Sequence, residues 1–375
     1  MMLTHSEALN IVLSTDFRTG TEKISITDCE NRVLAVDIFS PINMPPFDKA
    51  MVDGYAIFRH EIDKELKIDA FVAAGDGDEY ALKEGFCIKV MTGAPVPKNT
   101  ELMVMVEDVE VIDEKIIRIL NKNSAVNISP KGEDMRVGDK ILEKGILMNP
   151  AHCGILASLG FSEVEVYKLV KIGVIVTGNE IVEPFKRLKE GQIYNSNAYQ
   201  LIANCLKFNI ILEYFGIVED TYDATSNAIN SMLLRNDVLI VTGGVSAGDY
   251  DYVAPVLKNS GLDVKFDSIA AQPGRPLVFA TNGEKFCFGM PGNPVSGLVL
   301  FETIVKPFLY KVMGHDFKPK IFPFVLNKKI SRKKAERKSY YPVKLNDDNT
   351  VEPILYHGSA HLNAYAEAFG ITALE

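Results

Sequence analysis

The sequence predicts an α/β fold with added β domains: a central α/β sheet domain, an inserted β domain and a small C-terminal β domain. Three observations carry this. Between 169 and 312, apolar strand-like runs alternate with helix-length segments across short loops. From Pro41 to about Asn127 the chain turns β-rich, with strand-like runs set apart by turn clusters. From Ile321 onward short β-like runs return. At 375 residues there is room for about two to three domains.

Taken in order, His5 to Thr15 has helical spacing, with Ala8, Leu9, Val12 and Leu13 on one side and Thr4 or Ser6 as cap. Ile26 to Phe39 reads as a short helix or turn passing into a strand. Pro41, Pro45 and Pro46 mark an irregular connection into the inserted domain, 44–129. Its candidate strands include Phe86-Cys-Ile-Lys-Val-Met, Leu102-Met-Val-Met-Val-Glu and Ile116-Ile-Arg-Ile-Leu. Residues 130–168 hold a loop at Gly132-Glu-Asp134 and a helix from about Pro150 to Gly160, with proline at its start and glycine past its end. This piece is expected to pack with 1–43 as one discontinuous domain.

In the α/β domain, 169–312, strands are expected at Val170–Val176, Ile210–Val218, Val238–Val241, Val264–Ile269, Pro276–Ala280 and Phe286–Gly289. Helices are expected at Ser196–Lys207, Ala224–Arg235, Tyr252–Lys258 and Pro294–Val312. Residues 313–375 form the C-terminal β domain. Its basic run, Lys328 to Lys338, reads most simply as a solvated edge or loop.

Composition narrows the function. Hydrophobic residues make up 47% and charged residues 24%, the balance of a soluble globular protein. The net charge of −9 disfavours nucleic acid as a partner. The five cysteines are scattered without C-x-x-C spacing, so reduced buried thiols are expected and the sequence shows no zinc pattern. No apolar run has membrane-spanning length and the N-terminus does not read as a signal peptide, so a cytoplasmic location is expected.

The chemistry concentrates in Val238-Leu-Ile-Val-Thr-Gly-Gly-Val-Ser-Ala-Gly-Asp-Tyr-Asp251, a buried strand running into a glycine-rich turn and two carboxylates. Gly243, Gly244 and Gly248 offer backbone N–H groups to phosphate oxygens. Asp249 and Asp251 suit Mg²⁺, a hard cation that takes oxygen ligands. By itself the loop fits a phosphate cradle and a plain glycine-rich connection equally well. Three further polar clusters follow predicted strands: Thr177-Gly-Asn-Glu180, Glu219-Asp220 and Met290-Pro-Gly-Asn-Pro-Val-Ser296. Loops at the same edge of a sheet converge, so Glu180, Asp220, Asp249 and Asp251 are candidates for one cleft. Read singly, each acid is equally a solvated loop residue, and Asp220 equally a helix cap. Asn293 suits a cap, Pro294 a first helical turn and Gly292 a close ligand approach, with the Ser296 hydroxyl nearby. Arg275, in Gln272-Pro-Gly-Arg-Pro276, is placed on a stiff turn to grip an oxyanion. Asp53-Gly54 is a turn signal set among apolar residues.

Seven segments then coincide in order: Pro46-Phe-Asp-Lys-Ala-Met-Val-Asp-Gly-Tyr-Ala56, Thr92-Gly-Ala-Pro-Val-Pro97, Gly132-Glu-Asp134, Thr177-Gly-Asn-Glu180, Gly243-Gly-Val-Ser-Ala-Gly-Asp-Tyr-Asp251, Pro273-Gly-Arg-Pro276 and Pro291-Gly-Asn-Pro-Val-Ser296. In this the chain resembles the molybdopterin molybdenumtransferase family, the MoeA type also found as the C-terminal part of gephyrin, over nearly its whole length. The resemblance implies an elongated four-domain homodimer with a molybdopterin-binding α/β domain. It implies an enzyme that inserts molybdate into adenylylated molybdopterin and releases AMP, with Mg²⁺ required. It places the cleft between the α/β domain of one subunit and the β domain of the other.

By the same resemblance, Asp53, Thr92, Asp134, Glu180, Asp220 and Asp251 are the catalytic set. Glu180, Asp249 and Asp251 are the metal set. Gly243, Gly244, Ser246, Gly248, Arg275, Pro291, Gly292, Asn293, Pro294 and Ser296 bind substrate. An adenylyltransferase and cofactor-accepting enzymes are implied partners. Ala50 stands where the family usually has serine, and Gln272 and Arg275 where lysines are common; Arg275 keeps the charge and Gln272 loses it. Two other readings compete: a molybdopterin adenylyltransferase-like activity, against which the inserted β domain counts, and a non-enzymatic scaffold of the gephyrin kind, which has no need of six polar cleft residues.

Overall fold

Ile-Gly-Val-Ile-Val-Thr and Val-Leu-Ile-Val-Thr are buried at every position, as strands covered on both faces must be. In the computed structural model, which describes residues 2–245, 251–332 and 336–374, they lie side by side at the centre of a sheet. The chain divides into two compact units. One comprises Met1–Ala35, Gly145–Pro150 and Glu163–Glu375; the other comprises Val36–Lys144 and Ala151–Ser162.

In the first unit the elements run β1 (Ile172–Thr177), α1 (Asn197–Leu206), β2 (Glu213–Val218), α2 (Tyr222–Arg235), β3 (Val238–Thr242), α3 (Val253–Asn259), β4 (Asp263–Gln272), β5 (Pro276–Thr281), β6 (Phe286–Met290) and α4 (Pro294–Leu300). A π turn, Phe301–Val305, carries the last helix into α5 (Lys306–Val312). The sheet order is β2-β1-β3-β6-β5-β4. The first four strands are parallel, and β5 runs antiparallel to both its neighbours, β6 and β4. Strand alternation sorts the two cores. Val174, Val176 and Ile240 pack with Ala198 of α1 and Val295 of α4, whereas Ile175, Leu239 and Val241 pack with Ile229 of α2 and Val256 of α3. Helices therefore cover both faces, as the alternating pattern predicts.

This order has one consequence for function. The chain leaves β1 toward one face and β3 toward the other, so a crevice opens beyond their carboxyl ends, at Thr177 and Thr242.

Several boundaries differ from the sequence reading. β2 starts at Glu213 rather than Ile210, because Asn209 turns the chain at φ 58° and pairing with β1 begins only at Gly173 and Glu213. β4 extends to Gln272, with register shifts near Phe266. The cap of α2 is Thr221, whose hydroxyl accepts the Ala224 N–H at 3.3 Å, and not Asp220. The first helix, His5–Leu13, is capped by Thr4 in a box with Glu7. The strand Lys338–Leu345 pairs in parallel with the end of β4, and Thr350–Pro353 and Gly370–Leu374 pair with it in turn.

The second unit carries a six-stranded sheet in the order Leu102–Met105, Gly54–Ile57, Phe86–Val90, Glu65–Val72, Ile116–Ile119 and Val109–Asp113. Ala56, Ile88 and Met103 fill one face, and Tyr55, Cys87 and Val104 the other. Asp53-Gly54 is not a hairpin turn. Gly54 begins a buried strand, and a Cβ there would sit 2.2 Å from the Val104 carbonyl oxygen; only glycine allows this approach.

Four cysteines are buried and Cys153 is half-buried. Burial pushes the Cys87 and Cys205 thiols up to about 12 and Cys287 higher still. Native protein treated with a disulfide reagent at neutral pH is therefore expected to titrate at most the Cys153 thiol, and all five cysteines after denaturation. Rapid labelling of Cys287 in the native state would contradict this packing. Among the described residues no helix is long and apolar enough to cross a membrane.

Candidate functional site

Each parallel strand of the first unit ends in a polar turn, and hydrogen bonds tie these turns together. The Asn179 N–H donates to Asp220 Oδ2 at 3.3 Å, and the Asp220 N–H donates back to Asn179 Oδ1 at 3.2 Å. This pair clamps the ends of β1 and β2 and explains why Asp220 does not cap α2. Gly243, after β3, donates its N–H to the Met290 carbonyl at the end of β6 at 3.0 Å. At φ 92° a Cβ on Gly243 would lie 2.5 Å from the Thr177 carbonyl oxygen. The glycine is thus required for the close approach of the β1 and β3 ends. Its N–H is not offered to phosphate, contrary to the sequence reading. That role falls to Gly244 and the residues after it. Of these, Ser246, Gly248 and Asp249 lie outside the described residues.

At the crevice itself, the Thr177 and Thr242 hydroxyls are buried without a hydrogen-bond partner. Their residues are only 3% and 2% exposed. An unmet buried hydroxyl costs about 1–3 kcal/mol, so two of them at one switch point mark a place for a polar guest.

A cavity of about 320 Å³ adjoins the crevice, lined by Gly244, Asp251, Asp267, Ser268 and Arg275 among others. It joins the β3 loop to the β4–β5 hairpin, whose Arg275 side chain is exposed. Its volume is at the small end for ligand pockets, enough for a phosphoryl-sized part of a larger substrate. On the α4 side, Pro291 is buried, and Gly292 and Asn293 are exposed. The Gly292 carbonyl accepts from Asn197 Nδ2 at 2.9 Å. Asn293 occupies the N-cap position, but its side chain makes no capping bond, and Pro294 fills the first turn. Ser296 is 3% exposed, so its hydroxyl belongs to the helix packing more than to the surface.

A larger cavity, about 960 Å³, is lined by Gln272, Arg332, Arg337, Tyr341, Tyr356 and His357. The basic run is thus not simply solvated. Arg332 turns inward and donates to the carbonyls of Arg337 and Leu374 at 2.6 and 3.0 Å. Lys328 and Lys344 hydrogen-bond Glu352 and hold its carboxyl down to about 2.

In the second unit, Asp53 Oδ1 accepts from the Thr92 N–H and from the Thr92 hydroxyl, both at 2.7 Å. These two donors, the backbone N–H first, hold the Asp53 carboxyl below the usual range. Asp134 is exposed in a loop whose N–H groups at 134 and 135 donate to the Met44 carbonyl.

The sequence-predicted residues are therefore brought together in groups. Glu180 and Asp220 lie on clamped neighbouring turns, Gly244, Asp251 and Arg275 share a cavity, and Asp53 meets Thr92. Among the described residues the carboxylates of Glu180, Asp220 and Asp251 do not close within 4.8 Å of one another as a ligand set. Thr177 and Thr242 fall inside motifs named from the sequence but were given no role of their own, and Asp267 and Ser268 were not named. The two threonines end their strands, which is the signal that was there to read; Asp267 and Ser268 carry none.

The geometry has counterparts among known proteins. Residues 3–160 match the family model described as the MoeA N-terminal region (domain I and II), and residues 173–311 match the probable molybdopterin binding domain. A molybdopterin molybdenumtransferase from Haemophilus influenzae is 33% identical, with all of this chain and 95% of the relative covered. One from Staphylococcus aureus is 31% identical over 82% of this chain and 75% of its own. A crystal structure of the molybdopterin biosynthesis MoeA protein from Pyrococcus horikoshii superposes with a TM-score of 0.86 at 28% identity, covering all of this chain and 95% of that one.

Proposed function

This chain belongs to the molybdopterin molybdenumtransferase family, and from that premise we propose that it transfers molybdenum from molybdate to adenylylated molybdopterin, releasing AMP, with the substrate held at the β1 and β3 strand ends. It is a transferase of molybdenum cofactor biosynthesis. The observation that carries the site is the pair of partnerless threonine hydroxyls where the strand order reverses, beside a cavity lined by Gly244, Asp251 and Arg275.

In this reading Gly244 and the loop after it hold phosphate oxygens, and Arg275 supplies charge to an anionic group. Molybdate is drawn to the cationic side, where Arg275, Arg332 and Arg337 line the two cavities. Pro291, Pro294 and the Gly292–Asn293 turn shape the floor. The donors at the strand ends are all oxygen, carboxylates beside hydroxyls, and this chemistry fits a hard divalent cation. Glu180 and Asp251, with Asp249, would hold Mg²⁺, and bound there it would neutralise phosphate charge. Asp53, kept ionised by Thr92, supplies a fixed negative charge, and Asp134 is the remaining acid of the set. The implied homodimer, in which Asp53 and Thr92 of one copy serve the α/β unit of another, belongs to this proposal, as do a cytoplasmic location, an adenylyltransferase as substrate donor and cofactor-accepting enzymes downstream.

Purified protein is expected to release AMP from adenylylated molybdopterin only when molybdate and Mg²⁺ are both present, and Asp251→Asn is expected to release little. No AMP release from wild-type protein under those conditions would sink the proposal. Mixing Asp53→Asn with Asp251→Asn subunits is expected to restore part of the activity; none at all would count against the shared cleft.

A further inference from the structure

A second cluster of ligating side chains lies in the β-rich unit, and none of its members is assigned to the transferase. His60 and Glu61 end the 3-10 turn Arg59–Glu61, and Glu84 precedes the strand Phe86–Val90. One ligating atom from each of the three lies within 4.8 Å of the other two. His60 Nε2 is 3.2 Å from the Glu84 carboxylate. The two outer side chains are accessible, at 57% and 67% exposure, whereas the Glu61 side chain is 1% exposed.

Glu61 is the telling member. Its Oε1 accepts the Gly85 N–H at 3.0 Å and meets Lys64 Nζ at 3.2 Å. Its Oε2 is buried and receives no donor. The Glu84 carboxyl lies within hydrogen-bonding reach of Glu61, so two carboxylates and an imidazole converge on this buried oxygen, an arrangement that a shared proton or a bound cation satisfies. The His60–Glu84 contact at 3.2 Å does not reach Glu61 Oε2.

We propose that His60, Glu61 and Glu84 bind a divalent transition-metal ion, with Zn²⁺ the fitting probe, and that the ion ties the 59–61 turn to the loop at Glu84–Gly85. One imidazole nitrogen with two carboxylates is a zinc-type donor set with a fourth position for water. Zinc–ligand lengths of about 2.0–2.2 Å at a tetrahedral angle put neighbouring ligand atoms about 3.3 Å apart, close to the His60–Glu84 spacing. Glu61 is fixed by its own hydrogen bonds, and the exposed His60 and Glu84 side chains close onto it. The Phe58 ring stacks on the His60 imidazole, 5.5 Å between centroids, and holds its plane. The nitrogen ligand separates this site from an Mg²⁺ site built of oxygens alone.

The test uses full-length, chelator-treated protein and Zn²⁺ in titration calorimetry, with Co²⁺ absorption as a second readout. One equivalent is expected to bind, undisturbed by excess Mg²⁺. Because Glu61 also anchors Gly85, the variants are His60→Ala and Glu84→Gln, at exposed positions. Each is expected to weaken Zn²⁺ by about tenfold or more and to erase the Co²⁺ spectrum, with AMP release unchanged. No stoichiometric Zn²⁺ binding by wild-type protein, or equal binding by both variants, would overturn the proposal, and neither result bears on the transferase reading.

Discussion

Gly243→Ala is expected to lower the stability of the α/β unit by about 2–6 kcal/mol and to abolish AMP release. Two costs combine. A non-glycine residue at φ 92° carries backbone strain of about 1–3 kcal/mol. The new Cβ would also meet the Thr177 carbonyl oxygen at 2.5 Å and its hydroxyl at 2.7 Å. Thr177 pairs with Val218 of β2 and follows Val176, which pairs with Thr242 of β3, so it has little room to retreat and overpacking adds about 1–3 kcal/mol. Relief by spreading β1 from β3 would open the crevice that positions the substrate. Gly261→Ala is the control: its φ is 82° with nothing within 4 Å of the added Cβ, so only strain applies. Denaturant unfolding of the two variants separates the effects. Equal losses would show that the close approach to Thr177 contributes nothing.

Asp53→Asn is expected to reduce AMP release by roughly 10²–10³-fold, the scale for losing one preorganised charge at a reacting site, with a small drop in unfolding temperature at neutral pH. An amide at this position cannot accept both Thr92 donors with the strength of a carboxylate. Thr92→Val isolates the hydroxyl. It leaves the backbone donor, so the Asp53 carboxyl moves part of the way back up toward its ordinary range. The direction follows from linkage. A carboxyl held below its unfolded value of about 3.9 stabilises the fold above that pH, and loses the contribution as pH falls through the folded value. The variant therefore gives up part of this stabilisation above about pH 4, and its acid limb of activity moves to higher pH. A pH–rate profile superimposable on wild type would show that the Thr92 hydroxyl does not tune Asp53.

Much of the fold was legible in the sequence because its signals are local. The buried runs of β1 and β3, the cap at Thr4 and the first-turn Pro294 need only their neighbours in the chain. Side-chain partners are another matter. Asp220 has a good capping position, yet Asn179, brought in by β1, takes its carboxylate. Gly243 reads as a phosphate donor until Met290 arrives with β6 and accepts its N–H. Asn293 sits at a cap and does not cap, since its own backbone and Pro294 already set the helix entrance.

The sequence by itself determined the strand and helix order of the α/β unit, the β character of the inserted segment and the family, because hydrophobic period and ordered motifs are properties of contiguous residues. Only the tertiary structure decided which polar groups have partners. Thr92 reaches Asp53 across 39 residues and His60 reaches Glu84 across 24, while Thr177 and Thr242 reach none. Hydrogen bonds and close packing act over a few ångströms, and strand pairing, which no local pattern encodes, sets which distant residues come that near.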